Sequence, residues 1–326
     1  MTAATSVAVA VPVAFAGWGA ALPERVVGND ELARTLDTSD AWVAGRTGIR
    51  TRHVRTEGET TASLAAAAGR RALAAAGLPP GEVDLVVLAT STPDRTLPAT
   101  ASDVSALLGT TGAACDVGAA CAGFVHALHL AAPAVASGLS GPALVVGAER
   151  MTDVVDPNDR TTAVLFGDGA GAVVLAPSSA GADGPGLVAS CLDGDPTLAA
   201  HLQVPPGGRW LEMDGPEVFR AATRALTGSG RAVLDRAGVA PDEVAAYIPH
   251  QANRRIIDAV VDRLGLAPER VVVTLDRHGN TSAASVPLAL AEAADAGRIG
   301  PGDLVLTSAV GAGMTWGSTL LRWGVG

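Results

Sequence analysis

The chain has 326 residues, 48% of them hydrophobic and only 17% charged, with a formal net charge of −10. That balance gives a compact chain with a substantial core and excludes intrinsic disorder, while the acidic excess excludes a nucleic-acid footprint, which needs clustered basic charge. All 23 basic residues are arginine, so chemistry that needs a lysine amine, such as Schiff-base formation or a phosphate-binding P-loop, is excluded too.

In chain order, residues 1–13 read as a loose leader. Its apolar run from Val7 to Gly17 superficially resembles a secretion signal, but no positive charge precedes Arg25 and Pro12 interrupts the run, so a cytoplasmic location is expected. Apolar stretches are broken by Gly, Pro or charge well before the roughly 18 residues of a membrane span, and no membrane association is predicted. The segment Gly69–Val83 reads as an amphipathic helix, a glycine stop and a Pro-containing turn, followed by the apolar strand Leu85–Leu88. The extended run Ala113–Ala120 then gives way at Cys121 to a helical pattern. A thiol at such a junction meets unpaired backbone N–H groups and a positive helix end, which favour the thiolate and make Cys121 a candidate nucleophile.

His126 and His129 share one helix face without a third ligand and read as structural. Cys115, Cys121 and Cys191 form neither an even set nor a CxxC pair, so no disulfide and no metal site is predicted. Gly167-Asp168-Gly169-Ala170-Gly171 imitates a dinucleotide loop but precedes the strand Ala172–Leu175 instead of opening a helix, so it reads as a glycine bend. Residues 177–186 have linker composition.

Beyond that linker the chain repeats itself. Gly230–Val244 aligns with Gly69–Val83 at an offset of 161, and 8 of 15 positions match, Gly, Arg, Pro and Glu among them. The period is too long for a solenoid. It predicts an α/β fold of two duplicated βα halves, residues 14–176 and 187–326, layered about a pseudo-dyad. His250 ends a strand of the second half and Asn280 lies in the stretch comparable to Cys121, so Cys, His and Asn are expected to face one pocket from opposite halves. Such a set suits acyl transfer: the thiolate attacks a thioester, the Cys121 N–H and the turn Gly311-Ala312-Gly313 hold the oxyanion, and His250 and Asn280 donate to a second carbonyl.

Six motifs carry a family resemblance: DTSDAWVAGRTGIRTRH (37–53), DVGAACAGF (116–124), DPNDRTTAVLFGDGAGA (156–172), IPHQANRRII (248–257), RHGNTSAASVPLAL (277–290) and GAGMTWGS (311–318). The chain resembles the β-ketoacyl-acyl carrier protein synthase III enzymes, thiolase-fold condensing enzymes, from about Phe15 to Trp323. The resemblance implies an α-β-α-β-α layering and a homodimer. It also implies acyl-CoA and malonyl-acyl carrier protein as substrates, with no permanently bound cofactor. Cys121 would carry the acyl group, and His250 and Asn280 would assist decarboxylative condensation. Ala312 would supply the second oxyanion donor. Trp42 and Arg160 would sandwich the CoA adenine, Arg46 would meet its phosphates, and Asn253 would bind pantetheine. Leu97 would line the acyl pocket across the dimer interface, and Phe219, Arg220 and Arg255 would dock the carrier. Two rival readings are an acyltransferase with a hydroxyl or amine acceptor, and an idle carrier-binding partner of another synthase.

Overall fold

The computed structural model describes residues 10–181 and 183–324. The first half opens with β1 (Val11–Ala21), β2 (Val26–Gly28), α1 (Asn29–Leu32), α2 (Asp40–Thr47) and β3 (Thr51–His53). It continues through α3 (Thr61–Ala76), β4 (Leu85–Ala89), α4 (Thr100–Leu108), β5 (Ala113–Val117), α5 (Gly123–Ala136), β6 (Ala143–Arg150) and β7 (Asp168–Pro177). The second half holds β8 (Gly186–Gly194), β9 (Leu202–Gln203), β10 (Glu212–Met213), α6 (Gly215–Ala237), β11 (Ala246–Pro249), α7 (Arg254–Leu264), α8 (Leu275–His278), α9 (Ser285–Asp295), β12 (Leu304–Gly311) and β13 (Thr315–Arg322).

The repeat seen in the sequence is a repeat in space. The strand order β1-β7-β6-β4-β5 of the first half recurs as β8-β13-β12-β11 in the second. Where a fifth strand would follow, Val271 makes a single parallel bridge to Tyr247. The aligned segments fold alike for the same local reason. Helices α3 and α6 both stop at a glycine in the left-handed region, Gly77 at φ 61° and Gly238 at φ 64°, whose N–H groups cap the preceding carbonyls. A short 3₁₀ turn starting at Pro80 or Pro241 then leads into β4 or β11. The two sheets are joined where β1 meets β8, at Val11–Leu187 and Pro12–Gly186.

Three apolar cores separate five layers. Helices α3 and α4 cover one face of the first sheet, and α6 and α7 one face of the second. Between the sheets lie α5 and α9, whose Phe124, Leu128, Val286 and Leu290 pack on Val145, Val173, Ile248 and Val305. Glycines admit this central layer: a Cβ on Gly147 would stand 2.3 Å from the Ala283 carbonyl oxygen, and one on Gly171 would stand 2.5 Å from the Leu288 nitrogen.

Two expectations change. Strand β1 opens at Val11, inside the stretch read as leader, because Val11–Val13 pair with β8 or β7; residues 1–9 of that stretch lie outside the described residues. Gly169 and Gly171 are ladder residues of β7 and not a bend. Gly171 lets α9 approach, and Gly169 makes room for the Leu22 and Leu288 side chains. No described helix is long and apolar enough to cross a membrane.

Gly147→Ala should therefore lower unfolding stability in urea by about 1–3 kcal/mol, the usual cost of overpacking. Gly228→Ala, on the exposed face of α6 with open space around its Cβ position, should cost nothing and gain up to about 1 kcal/mol of helix propensity.

Candidate active site

Each half places a sharp elbow ahead of its central helix. Ala120 takes φ 45° before Cys121, and Ser282 takes φ 48° before Ala283. A non-glycine residue in this region stores about 1–3 kcal/mol of strain. The elbows pack against each other, and each leans on a strand of the opposite half, the first on β12 and the second on β6. Gly311, ending β12, comes so close that a Cβ would lie 2.7 Å from the Cys121 nitrogen.

Cys121, His250 and Asn280 line one cavity of about 660 Å³. All three are buried. His250 stands at the end of β11, its N–H bonded to the Ser308 carbonyl at 2.7 Å and its Nδ1 paired with Ser285 Oγ at 2.6 Å. Ser285 Oγ also accepts from the Gln251 N–H; its own proton has no other acceptor among the described residues, so it goes to Nδ1 and the ring proton sits on Nε2. Burial pulls the His250 pKa down to about 4, so the ring is neutral at physiological pH. Asn280 is held by backbone bonds to Leu165 and Gly167, and its Oδ1 accepts the Ser282 N–H at 2.9 Å. Its amide NH₂ is left as the free end. The cavity thus holds a thiol and two neutral N–H donors.

The thiol departs from expectation. Burial pushes Cys121 up to about 12; the neighbouring Ser282 hydroxyl opposes this, nearby Glu149 adds to it, and the residue's own backbone N–H opposes it. Cys121 is a thiol at rest because desolvation outweighs the donors at the elbow. Glu149 itself is fully buried with no cation partner among the described residues. It accepts from Ser91 N–H, the Thr90 and Thr92 hydroxyls, Ser282 Oγ–H and, at 3.4 Å, Ala283 N–H, so loops of both halves hang on one carboxylate. Burial pushes its pKa up against those donors. Ser282, Ser285 and Glu149 escaped the sequence reading. The available signal was Glu149, a carboxylate that directly follows the apolar run Ala143–Ala148 of β6.

Toward solvent the same cavity is lined by Trp42, Arg46, Arg160, Asn253, Arg255 and Phe219. Arg46 and Arg160 both lie over the Trp42 ring, at 4.9 and 5.1 Å from its centroid, so a second aromatic ring would have to part Trp42 from Arg160. Asn253 caps α7 with its Oδ1, and Arg255 donates to the Gly45 carbonyl at 3.0 Å. These arginines give the mouth local positive charge on a chain whose net charge is −10. Three assigned residues do not line the cavity. Arg220 pairs with Glu217 on the exposed side of α6, because it sits one position round the helix from the lining Phe219. Leu97 is 82% exposed, in the loop between β4 and α4. Ala312 is not part of the cavity wall, which there is Gly311 and Met314.

With that geometry in place, the comparisons with known proteins are specific. Residues 115–196 match the profile described as 3-oxoacyl-[acyl-carrier-protein (ACP)] synthase III, and residues 234–323 match the one for its C-terminal part. The chain is 50% identical to the β-ketoacyl-[acyl-carrier-protein] synthase III of Rhizobium meliloti over 316 residues, 94% of this chain and 98% of that protein. The chain belongs to the 3-oxoacyl-[acyl-carrier-protein] synthase III family. Its fold superposes on the family's enzyme from Aquifex aeolicus with a TM-score of 0.93 at 43% identity, covering 96% of this chain and 100% of that one. The priming β-ketosynthase of the R1128 polyketide pathway gives 0.90 at 39% identity, covering 98% of each chain. Family membership and the thiolase-type layering are thereby shown, as the motifs implied.

The depressed His250 pKa has a sign that can be tested. Between about 6.5 and about 4 the unfolded chain binds a proton that the folded one refuses, so this residue's contribution to stability falls as pH falls through that window. Urea unfolding across it should show a shallower acid loss in His250→Gln than in the parent.

Proposed function

We propose that this chain joins an acyl-CoA starter to malonyl-acyl carrier protein by decarboxylative Claisen condensation, initiating fatty-acid synthesis. The observation that carries the reading is the free amide end of Asn280 beside the proton-bearing Nε2 of His250, two neutral donors in the cavity that holds Cys121.

In the first half-reaction the Cys121 sulfur attacks the starter thioester. The new S–C bond forms, the thiol proton leaves, and CoA departs as its thiol after taking up a proton. The developing oxyanion meets the Cys121 N–H at the elbow and the backbone of the Gly311–Met314 turn. In the second, the malonyl thioester carbonyl accepts from His250 Nε2–H and Asn280 Nδ2–H. Loss of CO₂ leaves an enolate whose charge those donors hold. Neutral donors suit this step, because they stabilise the charge without quenching the carbanion. The enolate carbon attacks acyl-Cys121, the thioester C–S bond breaks, Cys121 takes up a proton to return as its thiol, and the 3-ketoacyl product leaves on the carrier. Acyl-CoA and the carrier are substrates, and nothing in this sequence of steps requires a resident cofactor. Transfer to a hydroxyl or amine acceptor would leave the Asn280 amide without a task.

The arginines around Trp42 fit the phosphates of CoA, and Arg46, Arg160 and Arg255 with Phe219 fit an acidic carrier whose prosthetic arm passes Asn253. Strand β5 ends the sheet without a neighbour on its outer side among the described residues, and exposed Leu97 precedes it. Both features support a homodimer in which Leu97 serves the partner's acyl pocket.

Intact-protein mass spectrometry tests the division of labour. Acyl-CoAs of varied length should add one acyl group to the parent and none to Cys121→Ala, and malonyl-acyl carrier protein should remove it as a ketoacyl product. Asn280→Ala should load normally and condense about 10²–10³-fold more slowly; equal damage to both steps would overturn the assignment. Ser285→Ala, which frees the His250 ring, should slow condensation by about tenfold or more and spare loading.

A further inference from the structure

A second cavity of about 390 Å³ shares a wall with the active site, because Phe166 lines both. The rest of its apolar lining includes Val27, Leu32, Val54, Val155 and Ala163. Its charged lining is Arg25, Glu31, Arg34 and Arg52. Glu31 is taken by Arg25 at 2.7 Å, while Arg34 and Arg52 have no ion pair among the described residues.

Arg52 is the unusual member. It is 1% exposed, and burial pulls its pKa down to about 10, which leaves it charged at neutral pH. Its partners are all neutral: Nη1 donates to the Val27 carbonyl at 3.3 Å and to Asn29 Oδ1 at 2.9 Å, and Nη2 donates to the Val164 carbonyl at 2.7 Å. Its Nε–H is buried with no acceptor. A buried cation without a counter-charge is costly, and the low dielectric around it strengthens its attraction for an anion in the adjoining space.

We propose that this cavity binds a short aliphatic carboxylate, its head drawn by Arg52 and Arg34 and its tail laid against Phe166 and Leu32, and that occupancy is felt at Asn280. Size supports the ligand class: ligand pockets run about 300–1,000 Å³, so this one holds a short chain and excludes a nucleotide-bearing thioester. The connection to Asn280 is covalent and hydrogen-bonded throughout. Arg52 holds the Val164 carbonyl, the next residue's carbonyl accepts the Asn280 N–H at 2.8 Å, and Gly167 N–H donates to the Asn280 carbonyl at 3.0 Å. An anion that competes for the Arg52 guanidinium loosens the strip on which Asn280 is hung. The effect on catalysis rests on the condensing role proposed for Asn280; the binding does not.

Isothermal titration calorimetry with octanoate, 1-octanol and acetate separates head from tail. Octanoate should bind, and the alcohol and acetate should bind far more weakly. Arg34→Glu, at the exposed rim, should weaken octanoate by about fivefold, the upper end for an exposed ion pair. Ala163→Phe, which fills the cavity without lining the active site, should abolish binding while urea unfolding confirms a folded chain. Octanoate that fails to bind, or binds both variants as it binds the parent, overturns the site. On enzyme already acylated at Cys121, octanoate should slow condensation, and on the free enzyme it should leave loading unchanged; an unchanged condensation rate overturns the link to Asn280. Because heats of binding are read without turnover, failure of the site and failure of the condensing assignment give different results.

Discussion

The meeting of two strained elbows at the pseudo-dyad is the constraint on which the rest of the molecule depends. Ala120 and Ser282 hold left-handed backbone conformations that cost energy, and they persist because the surroundings over-determine them. Gly147 and Gly311 let strand ends of the opposite halves approach the elbows at backbone distance. The Glu149 carboxylate then ties the second elbow to the loop after β4. Through Ser282 the same carboxylate fixes the rotation of the Asn280 amide, since the Ser282 N–H pins its Oδ1. Duplication supplied two elbows, and they have diverged: one carries Cys121, and the other carries Ala283 at the matching place with Asn280 three residues ahead.

Burial and charge are divided along the cavity. Its inner end is desolvated, which keeps Cys121 a thiol and His250 a neutral imidazole. Neutral donors in a dry site are preorganised for a charge that appears only during reaction. Its outer end is arginine-rich on a chain whose net charge is −10, so the long-range repulsion of an acidic molecule is locally offset at the cavity mouth. On the opposite side of Phe166, Arg52 is a buried charge held by neutral dipoles at Nη1 and Nη2, with its Nε–H left without an acceptor.

Much of this was legible in the sequence. The 161-residue repeat foretold the duplicated strand order, because glycine stops and Pro turns are local signals that fold the same way wherever they occur. The catalytic candidates were legible as well, since Cys121 and His250 lie at element ends and Asn280 sits in a marked motif. The strand start at Val11 was missed because pairing with β8 is a non-local event. The glycines of β7 were misread because a glycine needed for a close approach looks in sequence like a glycine needed for a bend.

The sequence by itself determined the elements, their duplication and the types of group available for chemistry, because periodicity, caps and turn residues act over a few neighbours. Only the tertiary structure decided the states of those groups. The helix-end argument favoured a thiolate at Cys121, and burial beside Glu149 reversed it, since desolvation depends on everything packed around an atom. Likewise Ser285, Ser282 and Glu149, remote from His250 and Cys121 in the chain, set the ring proton and the amide orientation. The Ser285–His250 and Glu149–Ser282 contacts span 35 and 133 residues, which no local pattern encodes, although the final link from Ser282 to Asn280 is local.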